Sequence, residues 1–169
     1  SATSAATHAI DNVNDDPVGV PTLTGTAQED SALGVSTSGI SDEDGLGSFS
    51  YQWARAGTAI SGATSSTYTL VQDDVGSTMT VTVSYTDAQG TAESVTSAAT
   101  SAVANVNDDP TGSVAISGTA TEDQTLSITN TLADEDGLGS FSYQWARAGT
   151  AISGATSSTY TPVSYTHLT

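Results

Sequence analysis

The residues of this chain that could do chemistry are carboxylates, and they occur in short clusters. Aspartate and glutamate account for 19 of the 169 residues, against two arginines and no lysine. They concentrate in four segments of the first half of the chain, which are Asp15–Asp16, Glu29–Asp30, Asp42–Asp44 and Asp73–Asp74. Like charges packed this closely repel one another unless something neutralises them. Carboxylate and amide oxygens with no nearby histidine or cysteine form a hard donor set, which favours Ca²⁺ over Mg²⁺ because calcium accepts roughly 6 to 8 oxygens in flexible geometry.

The overall composition excludes several other functions. A net charge of −17 argues against nucleic acid and against anionic membrane surfaces as partners, and no apolar run is long enough to insert into a membrane. Asp42–Gly45 begins like an EF-hand loop, but its glycine comes two places early and Trp53 stands where the bidentate glutamate belongs. Nucleophile-elbow, phosphate-loop and zinc-protease motifs are absent from the sequence. We therefore expect no enzyme activity and no catalytic residues.

A long internal repeat organises the chain. The 28 residues from Asp42 to Thr69 recur unchanged as Asp134–Thr161, and Asn12–Pro17 recurs as Asn105–Pro110. A period of about 93 residues is too long for a solenoid and predicts a string of small domains, each with its own core. We expect residues 1–11 to end strand G of a preceding repeat, 12–104 to be one complete repeat, 105–161 to be a truncated copy with strands A to E, and 162–169 to be a non-native tail.

Alternation of apolar and polar residues predicts β-strands throughout, and no segment has helical periodicity. The strands of the complete copy are predicted near residues 18–25, 32–38, 48–56, 58–61, 66–71, 77–86 and 91–103. Short strands separated by turn residues predict an all-β fold of antiparallel β-sandwiches. The predicted core is apolar and centred on Trp53, whose alternative role would be sugar stacking; its other members are Leu23, Leu33, Val35, Phe49, Tyr51, Ile60, Tyr68, Leu70, Met79, Val81, Val83 and Val95.

Several short motifs, in their order and spacing, resemble a known family. They are Tyr51-Gln52-Trp53, Ile60-Ser61-Gly62-Ala63-Thr64, Thr67-Tyr68-Thr69-Leu70, Asp74-Val75-Gly76 and Thr80-Val81-Thr82-Val83. This pattern resembles the tandem Ig-like and cadherin-like repeats of large secreted bacterial adhesins of the RTX type. The resemblance implies Ig-like sandwiches without an inter-sheet disulfide, and the chain contains no cysteine. It also implies an extracellular or cell-surface location.

Strand direction sorts the acidic clusters onto the ends of the sandwich. Successive antiparallel strands place the A–B and E–F loops at the end where strand G leaves, and the B–C and F–G loops at the opposite end. Glu29, Asp73 and Asp74 are therefore expected beside Asn105–Pro110, and Asp134–Asp136 is expected to face that linker from the second copy. The sequence thus predicts that four acidic segments converge on one junction between repeats.

The arrangement resembles the calcium junction of cadherins, and that resemblance implies a ligand set. At the second junction the implied ligands are Glu29, Asp73, Asp74, Asn105, Asn107, Asp108, Asp109, Asp134 and Asp136. Their counterparts at the first junction are Asn12, Asn14, Asp15, Asp16, Asp42 and Asp44. The linker departs from the cadherin pattern because it starts with asparagine and is one residue shorter. The alternative is that these Asp-rich segments are ordinary polar turns, which their residue types also favour.

The leading functional hypothesis is a structural spacer of a secreted or cell-surface bacterial adhesin, in which calcium rigidifies the junctions. Its partners would be the neighbouring repeats of the same chain. One alternative is a ligand-binding module for a surface glycan or a host protein, which near-identical copies favour less. Another is an accessory domain of a secreted hydrolase.

Overall fold

The computed structural model describes residue 3 and residues 8–164, and the chain divides into two compact units. Unit 1 is Ser1–Val106 and unit 2 is Asn107–Thr169, so the division falls two residues after the predicted start of the second copy. Part of the segment expected to end a preceding strand G (residues 1, 2 and 4–7) and most of the expected tail (165–169) lie outside the described residues.

Unit 1 consists of two antiparallel sheets. Its strands are β1 (Thr22–Thr24), β2 (Ala32–Ser36), β3 (Ser50–Arg55), β4 (Thr58–Ala59), β5 (Thr67–Thr69), β6 (Met79–Thr86) and β7 (Ala92–Thr96). The order is β1-β2-β5 in one sheet and β4-β3-β6-β7 in the other. The predicted all-β class is confirmed, and each predicted strand of the complete copy contains an observed one.

The core of unit 1 lies between the two sheets. Trp53 of β3 is completely buried with Met79 and Val81 of β6, and it meets Leu33 of β2 from the other sheet. Its indole Nε1 donates to the carbonyl of Ser65 (2.9 Å), so burial leaves no unsatisfied donor on the ring. The expectation that Trp53 is a core residue is therefore confirmed.

Unit 1 also contains features that alternation did not predict. Gln72–Asp74 forms a short 3₁₀ helix, a single turn too brief for a periodic signal. Ile40, Tyr85 and Val103 are buried, although none was among the predicted core residues. Residues 97–103 were predicted as strand, but they contact β6 through separate backbone hydrogen bonds such as Thr100 N to Met79 O (3.0 Å).

Unit 2 keeps part of the same plan. Its strands are β8 (Val114–Ser117), β9 (Leu126–Asn130), β10 (Ala146–Arg147), β11 (Thr150–Ala151) and β12 (Thr159–Tyr160). They form a sheet of order β12-β9-β8 and a separate β10-β11 hairpin. β9 pairs β12 through Leu126↔Tyr160, the register that Leu33↔Tyr68 has in unit 1.

Both units contain the same tight hairpin turn. Between β3 and β4 the two turn residues are Ala56 (φ 44°) and Gly57 (φ 80°), and Ala148 (φ 47°) and Gly149 (φ 79°) occupy the same places in unit 2. Two successive positive φ values are those of a type I′ turn, which matches the twist of the flanking strands. The alanines carry a Cβ in a left-handed conformation and are strained there.

Candidate metal sites

The loop between β2 and β3 holds two of the predicted ligands in a local turn. Asp42 Oδ1 accepts a hydrogen bond from the backbone N–H of Asp44 (2.8 Å), and the Asp42 carbonyl accepts one from Gly45 N (3.2 Å). Aspartate followed two residues later by a bonded N–H is a turn that its short side chain favours. This turn directs the Asp44 carboxylate toward the residues that precede β1.

Asp44 fastens the entry segment of unit 1, residues 12–17. Only 7% of Asp44 is exposed. Its Oδ1 accepts from Asn12 Nδ2 (2.8 Å) and its Oδ2 accepts from Asp15 N (2.7 Å). Hydrogen bonds to an ionised carboxylate are stronger than neutral ones. The sequence placed these three residues together, and the structure brings them into contact.

Two residues of the β6–β7 hairpin complete this end of unit 1. Asn14 Nδ2 donates to Glu93 Oε1 (2.9 Å), and the Tyr85 hydroxyl donates to Asp42 Oδ2 (2.6 Å). Tyr85 and Glu93 are register partners across β6 and β7. Burial, the hydrogen bond to Asp42 and the nearby carboxylates of Asp42, Glu93 and Asp87 raise the pKa of Tyr85 above its ordinary value. The hydroxyl therefore stays protonated and remains a donor.

Asp87, at the end of β6, is the most unusual carboxylate of this end. It is 6% exposed, and its Oδ1 accepts from the backbone of Gln89 and Thr91 (both 2.8 Å). Burial opposes its ionisation, but hydrogen bonds from Thr91, Gln89 and Gly90 outweigh that effect and lower the pKa of Asp87. Its Oδ2 is the one buried side-chain oxygen or nitrogen without a hydrogen-bond partner in the described part of the chain. The next residue, Ala88, donates its N–H to the Asp44 carbonyl (3.2 Å).

The opposite end of unit 1 is organised by Glu29. Glu29 is 3% exposed, and its Oε2 accepts from the backbone N–H of Val106 (3.1 Å). The side-chain amide of Gln72, with its nitrogen turned toward Glu29, lies 2.6 and 3.1 Å from the two carboxylate oxygens. Glu29 N also donates to the Ala104 carbonyl (2.9 Å). The predicted meeting of the A–B loop, the E–F loop and the departing strand is therefore observed.

The two aspartates of the E–F loop are placed differently from each other. Asp74 is completely buried, and its oxygens accept from Arg55 Nε (2.7 Å), the Tyr68 hydroxyl (3.1 Å) and Val71 N (2.9 Å). The hydrogen bond to Asp74 raises the pKa of Arg55. Asp73 is 82% exposed at its side chain and lies 3.7 Å from Arg55. Three donors already occupy the oxygens of the Asp74 carboxylate, so its contacts are those of a structural ion pair within unit 1.

The entry segment of unit 2, residues 107–110, repeats the arrangement of the first copy. Asp108 N donates to Asp136 Oδ2 (2.8 Å), as Asp15 N does to Asp44. Asp136 N donates to Asp134 Oδ1 (3.0 Å), which is the same turn as in unit 1. Asn107 Nδ2 donates to the Asp108 carbonyl (3.0 Å). Three further predicted ligands, Asp16, Asn105 and Asp109, are exposed.

The donors at these ends fit a hard cation better than a soft one. The atoms that could bind a metal ion are carboxylate and amide oxygens. Among them, the buried Asp87 Oδ2 accepts no hydrogen bond from the described residues. The chain has only two basic side chains apart from histidine, Arg55 and Arg147, and Arg55 is paired with Asp74. No arginine or lysine is therefore left in unit 1 to neutralise Asp42, Asp44 and their neighbours. Oxygen ligands of this kind are those that Ca²⁺ accepts.

Sequence reasoning missed Gln72, Tyr85, Asp87 and Glu93. The sequence does contain a signal for Tyr85, Asp87 and Glu93. The β6–β7 loop is short, so it fixes the register of the hairpin and places these residues beside the B–C loop. Gln72 carries no comparable signal, since its position depends on the 3₁₀ turn.

Comparison with known proteins adds no family assignment. The chain matches no protein-family model, and a search of curated proteins gives no match. Among the described residues, no helix has the length and apolar character needed to cross a membrane.

Proposed function

We propose that the chain is part of an extended spacer in a secreted or cell-surface bacterial adhesin, with calcium stiffening the succession of repeats. The observation that carries this proposal is the attachment of each entry segment to its own repeat. Asp15 N bonds to Asp44 in unit 1, and Asp108 N bonds to Asp136 in unit 2. A flexible linker would not need a hydrogen bond that holds it to the following repeat. The same bond occurs in both units, which supports a defined geometry between linker and repeat.

The proposal of calcium rests on the excess of negative charge at these ends. Asp42, Asp44, Asp87 and Glu93 are collected at one end of unit 1, and the donors that reach them are amides, backbone N–H groups and a tyrosine hydroxyl. None of those donors carries a positive charge. A divalent cation would remove the repulsion, and a ligand that binds only the folded state at ten times its Kd adds about 1.4 kcal/mol of stability.

The affinity expected for such a site ties its function to location. Extracellular calcium modules bind with dissociation constants on the order of 0.1 to 1 mM. Sites of that strength fill outside the cell and stay empty at cytosolic calcium levels. The spacer would therefore stiffen only after export, and its partners would be the neighbouring repeats.

The test is calcium titration of the full chain by calorimetry and thermal unfolding. The informative variants are Asp16→Asn and Asp109→Asn, because both side chains are exposed and each belongs to an entry segment. Each should weaken calcium binding several-fold with little change in stability in the presence of chelator.

Two controls separate a site from general charge effects. Asp123→Asn removes one exposed charge from the β8–β9 loop and keeps a residue type that tolerates the local φ of 58°. Thr80→Ala changes β6 without changing charge. Both should leave calcium affinity unchanged. Equal weakening by Asp109→Asn and Asp123→Asn, or equal stabilisation by Mg²⁺ and Ca²⁺, would contradict the proposed calcium sites.

A further inference from the structure

Unit 1 holds the departing chain as far as Val106. Ala104 N donates to the Ala27 carbonyl, and the Ala104 carbonyl accepts from Glu29 N (both 2.9 Å). Val106 N then donates to Glu29 Oε2 (3.1 Å), and the 3% exposed Glu29 carboxylate also contacts the side-chain amide of Gln72. All of these contacts lie within unit 1. The peptide plane that carries the Val106 N–H is therefore fixed to unit 1.

Unit 2 holds the arriving chain from Asp108 onward. Asp108 N donates to Asp136 Oδ2 (2.8 Å). Three residues later, Thr111 N donates to the Ala133 carbonyl (2.7 Å), and Ala133 N donates back to the Thr111 carbonyl (3.1 Å). Pro110 lies between these two attachments, and its ring fixes its own φ. The peptide plane that carries the Asp108 N–H is therefore fixed to unit 2.

Few backbone torsions remain between the two fixed planes. Because each peptide group is rigid, they are the φ and ψ angles of Val106 and Asn107. Within the described part of the chain, the hydrogen bond of Asn107 runs from its Nδ2 to the carbonyl of the next residue, Asp108 (3.0 Å), so it fastens Asn107 to neither sandwich. The division of the chain into two compact units falls between the same two residues.

The two residues differ in conformational freedom. Val106 is β-branched and half-buried, which restricts it to extended conformations. Asn107 is exposed, and asparagine enters the left-handed region more readily than almost any other residue with a side chain. Asn107 therefore has the wider range of backbone conformations.

We propose that, without bound metal, bending between the two units is confined to a hinge made of Val106 and Asn107, with most of the freedom at Asn107. The six-residue linker Asn105–Pro110 thus contains a much shorter joint, because hydrogen bonds fasten both of its ends. Stiffening this joint requires the ordering of two residues only. The hinge is a property of the chain in chelator, so a failure of calcium binding would leave it intact.

The experiment measures the distance distribution between two spin labels on the full chain in chelator, by pulsed electron paramagnetic resonance. The chain contains no cysteine, so Thr58→Cys and Thr150→Cys supply exposed and equivalent label sites in units 1 and 2. Asn107→Gly should broaden the distribution by roughly half, because glycine enlarges the accessible backbone range. Asn107→Pro should narrow it, because proline fixes its own φ and restricts the residue before it.

Asn105→Gly is the matched control, since it makes the same substitution on the unit 1 side of the Val106 hydrogen bond. It should leave the width unchanged. Equal broadening by Asn105→Gly and Asn107→Gly would overturn the proposal, and so would a distribution that neither variant of Asn107 changes.

A second comparison tests the attachment of Val106. In a Glu29→Ala chain Val106 N loses its acceptor, so the hinge should lengthen and Asn105→Gly should now broaden the distribution. If Asn105→Gly has no effect in a folded Glu29→Ala chain, Glu29 does not limit the hinge and the proposal is overturned. If Glu29→Ala unfolds unit 1, the two glycine variants still decide the question, because they leave both attachments unchanged.

Discussion

Units 1 and 2 share 28 identical residues, yet those residues do not have the same secondary structure in both. Ser50–Arg55 is a six-residue strand in unit 1, whereas in unit 2 only Ala146–Arg147 of the same sequence is strand. The hydrogen bonds around the tryptophan and the β-hairpin beside it are present in both. The full length of β3 depends on its pairing with β6. The hydrogen bonds around the tryptophan and the hairpin depend only on residues nearby in the sequence.

The part of this fold that forms independently of β6 is local in sequence. The tryptophan, its hairpin and the β9–β12 pairing form without β6, because all their partners lie within about thirty residues of sequence. The full length of β3 needs a neighbour that comes later in the chain. Strand propensity is a property of packing against neighbours more than of the backbone itself.

Loss of either tryptophan should change the stability of the two units most. Trp53→Ala should cost unit 1 about 3 to 5 kcal/mol, since it leaves a cavity in a closed core. Trp145→Ala should cost unit 2 less than that, because Trp145 is itself buried but the apolar residues near it, such as Phe141 at 46% exposed, are less covered than their counterparts in unit 1. Met79 is the single methionine of the chain, so a labelled methyl group reports unfolding of unit 1 alone. Equal costs in the two units would contradict the view that β6 closes the core.

A second difference concerns the arginines. Arg55 pairs with the buried Asp74, whereas Arg147 donates to the Tyr160 hydroxyl (3.2 Å). Asp74→Ala should destabilise unit 1 by about 2 to 4 kcal/mol, somewhat below a fully buried pair because the Arg55 side chain is 30% exposed. Arg147→Ala should change the stability of unit 2 by less than about 1 kcal/mol. Denaturant unfolding followed at the Met79 methyl and at Trp145 fluorescence checks both.

Alkaline pH should also separate the units. The pKa of Tyr85 is raised in the folded state, so folding holds a proton that the unfolded chain releases near pH 10. The stability from this group is complete below pH 10 and is lost as the pH rises further. Unit 1 should therefore lose stability above pH 10, and Tyr85→Phe should remove this part of the loss. A slope of stability against pH that is the same in wild type and Tyr85→Phe would refute the assignment.

The smallest effect concerns the shared turn. Ala56→Asn should stabilise unit 1 by about 0.5 to 1 kcal/mol, because asparagine tolerates positive φ better than alanine. Ala148→Asn should stabilise unit 2 by a similar amount if the hairpin is as local as the comparison indicates. Thermal unfolding of the two single variants measures both gains. A gain confined to unit 1 would show that the hairpin of unit 2 depends on β6 after all.

The sequence predicted the strands of unit 1 well, since alternation reports a half-buried sheet directly. It predicted Trp53 at the centre of the core for the same reason. It did not predict the burial of Tyr85, because its hydroxyl needs Asp42 from a loop 43 residues earlier in the chain. The 3₁₀ turn at Gln72–Asp74 was also missed, since three residues are too few to show a period.

Some contacts among the acidic loops were predicted in outline, and the metal ligand set itself stays a prediction. Asp-rich loops indicated Asp44, Asp15 and Glu29, and topology indicated which ends they occupy. The positions of Asp87 and Glu93 near the Asp42–Asp44 loop depend on the register of the β6–β7 hairpin. The sequence pattern alone did not predict that register. Asp74 was predicted as a ligand because it is an aspartate in an acidic loop. Its burial against Arg55 comes from tertiary packing, which residue type alone does not reveal.

The measurement that tests the spacer hypothesis most directly is small-angle scattering from two complete repeats, built by extending unit 2 after Thr161 with residues 70–104. Scattering and melting temperature would be compared in millimolar Ca²⁺, in Mg²⁺ and in chelator. We expect a longer, narrower distribution of interatomic distances and a higher melting temperature in Ca²⁺ than in Mg²⁺ or chelator. Identical scattering and melting in all three conditions would contradict it and would leave the acidic loops as solvated turns.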